Sequence, residues 1–290
     1  MMTLQLTLTF DLEEIDRALW QTFCLWRKYN MKHLTEVENI SQCQLQMMLL
    51  RVKSLRQMMN GVPLYLDKPE ARKVLDIASM ASVVRGIYET AFIYHNIFIS
   101  ADSEDERDLL ICIWRIRGFN NTQGVPAPEG MENLQRLDAE SIAIYKRKAN
   151  EIASRLNISE KARRLLDGII NDEDSNLRGY KFVKDEDNQI VNIEKKSFSK
   201  PELLFGHKMY DNLYSYMSLF SHPSFLGMKH FADMFNNGKD RGNAENLIKT
   251  TCICASKFIS DFCTVVSNGQ LIWKEVNPHY FTLVEICSNL

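Results

Sequence analysis

Glycine and proline are scarce in this chain, 12 Gly and 7 Pro in 290 residues. That is little turn-forming material for a protein of many short strands, and little for a glycine-rich loop that cradles phosphate. No G-x-x-x-x-G-K-[ST], post-strand G-x-G-x-x-G, H-E-x-x-H or G-x-S-x-G occurs, which argues against the nucleotide-cofactor enzymes of the common folds. An excess of charge of either sign is also missing. Lys plus Arg number 35 against 37 Asp plus Glu, so no global field recruits nucleic acid or an anionic membrane. Long apolar runs are absent too. The longest uncharged stretch, Asn212 to Met228, is interrupted by Ser215, Ser218, Ser221, His222 and Pro223. It falls short of the ~20 apolar residues that span a bilayer. The opening MMTLQLTLTF lacks the basic start and apolar core of a signal peptide. The 7 cysteines are odd in number and scattered, the usage of reduced intracellular thiols rather than bridges. Cys252 and Cys254 form C-x-C, but on a helix such side chains diverge by roughly 200°. The expectation is a soluble cytoplasmic protein with no metal, no cofactor and no membrane partner.

What is present is the material of a helical core: 45% hydrophobic and 25% charged residues. The predicted fold is all-α, a multi-helix bundle forming a single domain over 1–290. Leu4, Leu6, Leu8 and Phe10 alternate with polar residues, predicting a short extended N-terminal arm. A helix follows from about Leu12, with Ile15, Leu19, Phe23 and Trp26 in its apolar stripe. Thr35 and Glu38 form a capping box for a helix that stops at Asn60-Gly61. Pro69, flanked by Asp67 and Glu70, suits the first turn of a third helix running to about Ile99. Ser103 with Glu106 caps a fourth. After a loop over 120–130, a long helix from about Glu132 to Leu156 precedes a short one from Glu160 to Ile170, capped by Ser159. Within 172–200 the sequence predicts an inserted β-hairpin, Tyr180 to Val183 and Ile190 to Ile193 around a polar DEDN turn. Helices are expected again over Pro201–Ser221, Phe225–Phe235 and Ala244–Ser267, before a mixed tail broken by Pro278.

One set of residues stands above this background. Arg85, Tyr88 and Glu89 lie at i, i+3 and i+4, on one face of an otherwise apolar helix. Tyr214, Ser218 and His222 repeat every four residues along an aromatic-rich helix, drifting about 40° per step. Pro223 disfavours helical geometry at His222 and sets the imidazole at the helix's negative end. Two helices with polar lines in apolar surroundings are expected to face each other. Two readings stay open: a structural ion pair that satisfies itself, or a ligand or catalytic pocket.

R-x-x-Y-E followed by Y-x-x-x-S-x-x-x-H-P-S resembles an uncharacterised bacterial family of helical proteins that pairs an R-x-x-x-E helix with an S-x-x-x-H helix. The likeness spans roughly Val74 to Phe225 and rests on Arg85, Glu89, Ser218 and His222. It implies a helical fold and, through a distant likeness to the HEPN ribonucleases, an enzymatic alternative: metal-independent RNA cleavage, as a nuclease or toxin in a defence or regulatory system. Such nucleases use Arg followed after four to six residues by His for phosphate contact and proton transfer. Arg27 and His33, in RKYNMKH, have that spacing, with Lys28 where the motif usually carries Asn.

The remaining features are plainer. The basic stretch from Arg136 to Arg164 reads as a solvated helix face before it reads as an RNA-binding stripe. Asp102, Glu104, Asp105, Glu106 and Asp108 suit a helix start. A third reading is a partner-binding module that dimerises or docks through the N-terminal arm.

Overall fold

A computed structural model describes residues 11–30, 34–63, 73–123, 126–127, 129–130, 132–172, 179–200, 204, 212–221, 225–237, 240–276 and 284–285. The fold is all-α: 76% of the described residues are helical, with two small two-stranded antiparallel sheets. The chain divides into two compact units, residues 1–94 with 201–290, and residues 95–200. The N-terminal arm lies outside the described residues.

The first unit opens with α1 (Leu12–Tyr29) and α2 (Glu36–Met58). Asp11 caps α1 by accepting the Glu13 N–H, and Thr35 and Glu38 form the reciprocal capping box of α2. These interactions satisfy N–H groups that a helix start leaves without intrahelical acceptors. Gly61, at φ +72°, turns the chain out of α2, a conformation glycine adopts without a Cβ clash. The strands β1 (Val62–Pro63) and β2 (Lys73–Val74) then pair antiparallel. Pro69 lies outside the described residues, but the strand at Lys73–Val74 interrupts the helix expected to run from there to Ile99. The third helix, α3 (Ile77–Phe98), starts later, where Asp76 accepts the Ser79 N–H at 3.1 Å.

A second correction concerns the helix expected over 201–221: of 201–211 only Leu204, which is helical, lies among the described residues, and the continuity is broken at Asn212. Asn212 has φ +70°, and α7 begins after it, at Leu213–Ser221. Helices α8 (Phe225–Asn237), α9 (Asp240–Val265) and α10 (Gly269–Glu275) complete this unit. Its core is aromatic at the centre. Trp26 meets Phe262 edge-on at 5.6 Å, and Tyr94 lies 4.8 Å from Phe258. Each fully buried ring contributes on the order of 2–3 kcal/mol.

The second unit contains the last turn of α3, then α4 (Glu104–Gln123), α5 (Glu132–Arg155), α6 (Glu160–Asn171) and a hairpin. Ser103 accepts the Glu106 N–H, while the Glu106 carboxylate takes the Asp102 N–H. Helices α4 and α5 run antiparallel, joined by Gln123 to the Gln135 carbonyl, by Arg115 to the Tyr145 hydroxyl, and by the stacked rings of Phe119 and Tyr145. Ser159 caps α6 through the Ala162 N–H. The hairpin is β3 (Gly179–Lys184) with β4 (Ile190–Lys196), and the Asp185 carboxylate accepts two N–H groups within the DEDN turn and its exit. Asn96, on the last turn of α3, makes two 2.9 Å hydrogen bonds to the backbone of Tyr180, donating to its carbonyl and accepting from its N–H.

Candidate functional site

The site is built on α3 and α7 of the first unit. Arg85 and Glu89 sit one turn apart, with Nε donating to Glu89 Oε1 at 2.8 Å. Arg85 Nη2 donates to the Tyr214 hydroxyl at 2.7 Å, and that hydroxyl donates on to Glu89 Oε1 at 3.1 Å. The guanidinium carbon also lies 4.9 Å from the centre of the Tyr214 ring, within cation–π range. Tyr88 is fully buried, its ring 6.0 Å from that of Tyr214. The structure thus joins Arg85, Glu89 and Tyr214 in a closed triangle of hydrogen bonds, with Tyr88 as its apolar floor. Ser218, one turn beyond Tyr214, is not part of the triangle; its hydroxyl is buried and has no hydrogen-bond partner among the described residues. His222 lies outside the described residues.

Sequence reasoning missed a second cation. Arg51, on α2, donates from Nη1 to the Gly86 carbonyl at 2.6 Å and to the Thr90 hydroxyl. Gly86 is what lets it approach: a Cβ there would stand 3.2 Å from the guanidinium carbon. A lone glycine inside a strongly apolar helix was the available signal, because such a residue often marks a close approach. Arg51 and Arg85 therefore flank the single carboxylate of Glu89.

The electrostatics follow from this arrangement. Burial works against the charge on Arg85, but the hydrogen bond and charge of Glu89 outweigh it, and the guanidinium holds its proton more firmly than usual. For Arg51 burial dominates and pushes the pKa down, with Glu89 acting in the opposite sense. Burial, reinforced by the negative charge of Glu89, raises the Tyr214 phenol above its ordinary value. Tyr214 is a neutral bridge at physiological pH, and Arg85 is a fixed cation. Neither is tuned to exchange protons near pH 7.

The triangle leaves part of its capacity unused. The side chains of Arg85 and Glu89 are 26% and 32% exposed. Arg85 Nη1 donates to no protein group among the described residues. One spare donor on α3 and one spare hydroxyl on α7 are what the arrangement offers a ligand.

Other candidates are less open. Arg27 is exposed in the last turn of α1, and its sequence partner His33 lies outside the described residues. In the second unit, a cleft of about 640 Å³ is lined by Asp102, Asp105, Glu106, Arg155 and Lys184. Most of its charges are spent on each other: Lys184 pairs with Glu106 at 2.7 Å and Asp102 at 2.9 Å, and Arg155 with Asp105 at 2.5 Å, while Glu104, also in the lining, pairs with Arg107 at 3.6 Å. Among the thiols, Cys252, Cys254 and Cys263 are buried on α9, and burial pushes Cys263 up to about 12, far from thiolate chemistry. Among the described residues no group of three or more His, Cys, Asp or Glu is arranged to hold a metal ion, and no helix is long and apolar enough to cross a membrane. Comparison of the chain with protein-family models, with curated proteins and with solved structures finds no match.

Proposed function

We propose that this protein is a helical binding module whose site is the Arg85–Glu89–Tyr214 triangle, and that it takes a small anionic ligand between α3 and α7. The observation that carries the reading is the pair of unused groups, Arg85 Nη1 and the Ser218 hydroxyl, one on each helix beside an otherwise satisfied cluster. Buried polar atoms in proteins are nearly always paired, so a hydroxyl left over one helical turn from Tyr214, whose own hydroxyl the half-open guanidinium holds, is a place for a ligand atom. Two arginines around one carboxylate leave a surplus positive charge, which selects an anion such as a phosphate or carboxylate. The ligand ties α3 to α7, which suits a regulatory role. The R-x-x-Y-E and S-x-x-x-H resemblance supports a bacterial setting of that kind. The free state of all six described cysteines fits the cytoplasm.

Titration calorimetry with inorganic phosphate and with 5′-AMP tests this. Saturable binding of at least one probe is expected, abolished by Arg85→Gln and weakened by Ser218→Ala, with far-UV circular dichroism unchanged. Absence of saturable heat from both probes at millimolar concentration would overturn the reading. So would binding that survives Arg85→Gln.

A further inference from the structure

Lysine is among the residues least often buried without a partner. Lys196, the last residue of β4, is nevertheless only 6% exposed, and its amine makes no hydrogen bond or ion pair among the described residues. The neighbouring Lys195 is exposed in the ordinary way. Register explains the difference. Lys196 pairs across the ribbon with Gly179, and Glu194 with Lys181, so these four residues share one face. Gly179 has no side chain there. Its empty Cβ position stands 3.1 Å from the Lys196 Cβ and 2.5 Å from the side-chain oxygen of Asn96, on the last turn of α3. The root of the lysine chain therefore lies against α3 instead of over open ribbon. The Asn96 amide does not solvate the amine, because both of its ends are committed to the backbone of Tyr180.

An unpaired ammonium held out of water is costly, and a buried lysine relieves that cost by losing its proton. Burial, joined by the positive charge of Lys181 and opposed by Glu194, pushes Lys196 down to about 8. Lys181 is its diagonal neighbour on the shared face, roughly 7 Å away at Cβ. About a quarter of Lys196 is then neutral amine at pH 7.5, against about one part in a thousand of an ordinary lysine. A neutral amine with no hydrogen bond to give up is a nucleophile. Its reaction partner has to be small, because the side chain is enclosed although the nitrogen itself is not sealed. That enclosure excludes an acyl donor with a bulky leaving group. Carbon dioxide, triatomic and uncharged, fits.

We propose that Lys196 binds carbon dioxide, taking it up reversibly as a carbamate on Nζ whose negative charge Lys181 stabilises. The nitrogen lone pair forms an N–C bond to the carbon of CO2, one C=O π pair moves onto oxygen, and the nitrogen releases a proton to water. The step balances without an oxidant or a reductant. An anion then stands where a cation stood, so repulsion by Lys181 becomes attraction and Glu194 becomes the opposing group. The residues involved all belong to the second unit, and the proposal rests on no part of the anion site on α3 and α7.

Trapping with triethyloxonium tests it, since this reagent ethylates a carbamate and peptide mass spectrometry then reads which lysine carried it. The full chain is equilibrated at pH 7.5 with bicarbonate over a range of CO2 concentrations before trapping. Ethyl carbamate is expected on Lys196, half-formed at a CO2 concentration at least about tenfold below that needed for Lys195. Lys181→Gln should raise that concentration about two- to fivefold, and Glu194→Gln should lower it. Both residues are exposed, so circular dichroism should be unchanged in either variant. No adduct on Lys196, or no preference over Lys195, overturns the proposal. So does a half-formation concentration that Lys181→Gln leaves unchanged or lowers.

Discussion

Two carboxylates of the first unit are each set among cations, and they are settled differently. Asp16, on α1, is 4% exposed and lies 2.8 Å from Lys53 Nζ and 2.9 Å from Arg56 Nη1, both on α2. Glu89 is 32% exposed, and its neighbours Arg85 and Tyr214 bond to each other as well as to it. In the first case the carboxylate is buried and the cations reach it from the surface. In the second, cation and carboxylate are comparably open and a phenol bridges them. A sealed anion under two surface cations is a fastener between helices. A half-open cluster with a spare nitrogen and a spare hydroxyl has room for a further partner.

The largest effect should come from the sealed pair. Asp16→Ala leaves Lys53 without its anion and Arg56 with Glu13 alone, 3.3 Å away, but both cations are more than 40% exposed and regain water. The loss is therefore expected near 2–3 kcal/mol, at the low end for a broken buried pair, measured by urea unfolding. A loss below about 0.5 kcal/mol would erase the contrast with Glu89. Next comes Tyr214→Phe, which removes a bridging hydroxyl and should cost about 1–2 kcal/mol. Combined with Glu89→Ala, the two losses should fall short of additivity, because both remove the bond from the Tyr214 hydroxyl to the Glu89 carboxylate. Strict additivity would show that the triangle does not act as a unit.

The same phenol provides a pH test. Its pKa in the folded protein lies above the ordinary value of 10.0, so the folded state holds the proton more tightly than the unfolded chain does. Its contribution is complete below pH 10 and is lost as pH rises through the folded value. Wild-type stability should accordingly fall on the alkaline side of pH 10 more steeply than that of Tyr214→Phe. Parallel curves from melts at stepped pH would remove Tyr214 as the source. The smallest effect belongs to Ser218→Ala. A hydroxyl with no partner has no bond to lose, so the change should lie within about 0.5 kcal/mol of wild type. A loss above 1 kcal/mol would mean that Ser218 is already engaged and is not waiting for a ligand.

Legibility from the sequence followed distance along the chain. The caps at Thr35 with Glu38, at Ser103 and at Ser159 are written within three residues of the groups they satisfy, and the hairpin turn at DEDN is equally local. The start of α3 was misplaced because Pro69 is a strong helix-start residue, whereas the cap in use, Asp76 with Ser79, carries the same kind of signal seven residues later. The break at Asn212 was hidden in an apolar, helix-like run, and Asn is among the few residues that adopt a left-handed conformation at modest cost. At the site, Arg85 and Glu89 were visible as an i,i+4 pair. Tyr214, 125 residues from Glu89, was visible as the first of three polar positions spaced every four residues along an aromatic-rich helix, a pattern that suggests a facing polar line and names no partner atom. Arg51 and Asp16 gave no such sign. Their partners lie on neighbouring helices 35 to 40 residues away, and a charged residue on an amphipathic helix looks the same whether it faces solvent or reaches across.

The hairpin of the second unit has a consequence for how the protein behaves in a crowded solution. A two-stranded ribbon has two open edges, each a row of backbone groups able to recruit a foreign strand. On β3 the outward N–H and C=O of Tyr180 are both taken by the Asn96 amide, a side chain standing in for a third strand. On β4 the N–H of Ile190 is taken by the Asn157 carbonyl and its own carbonyl by the Ser159 N–H. Gly179 makes the first of these closures possible, since a Cβ at that position would stand 2.5 Å from the Asn96 side-chain oxygen. Each edge is thus blunted at one rung by a group from outside the hairpin, and growth of the ribbon into an intermolecular sheet would first have to evict an asparagine.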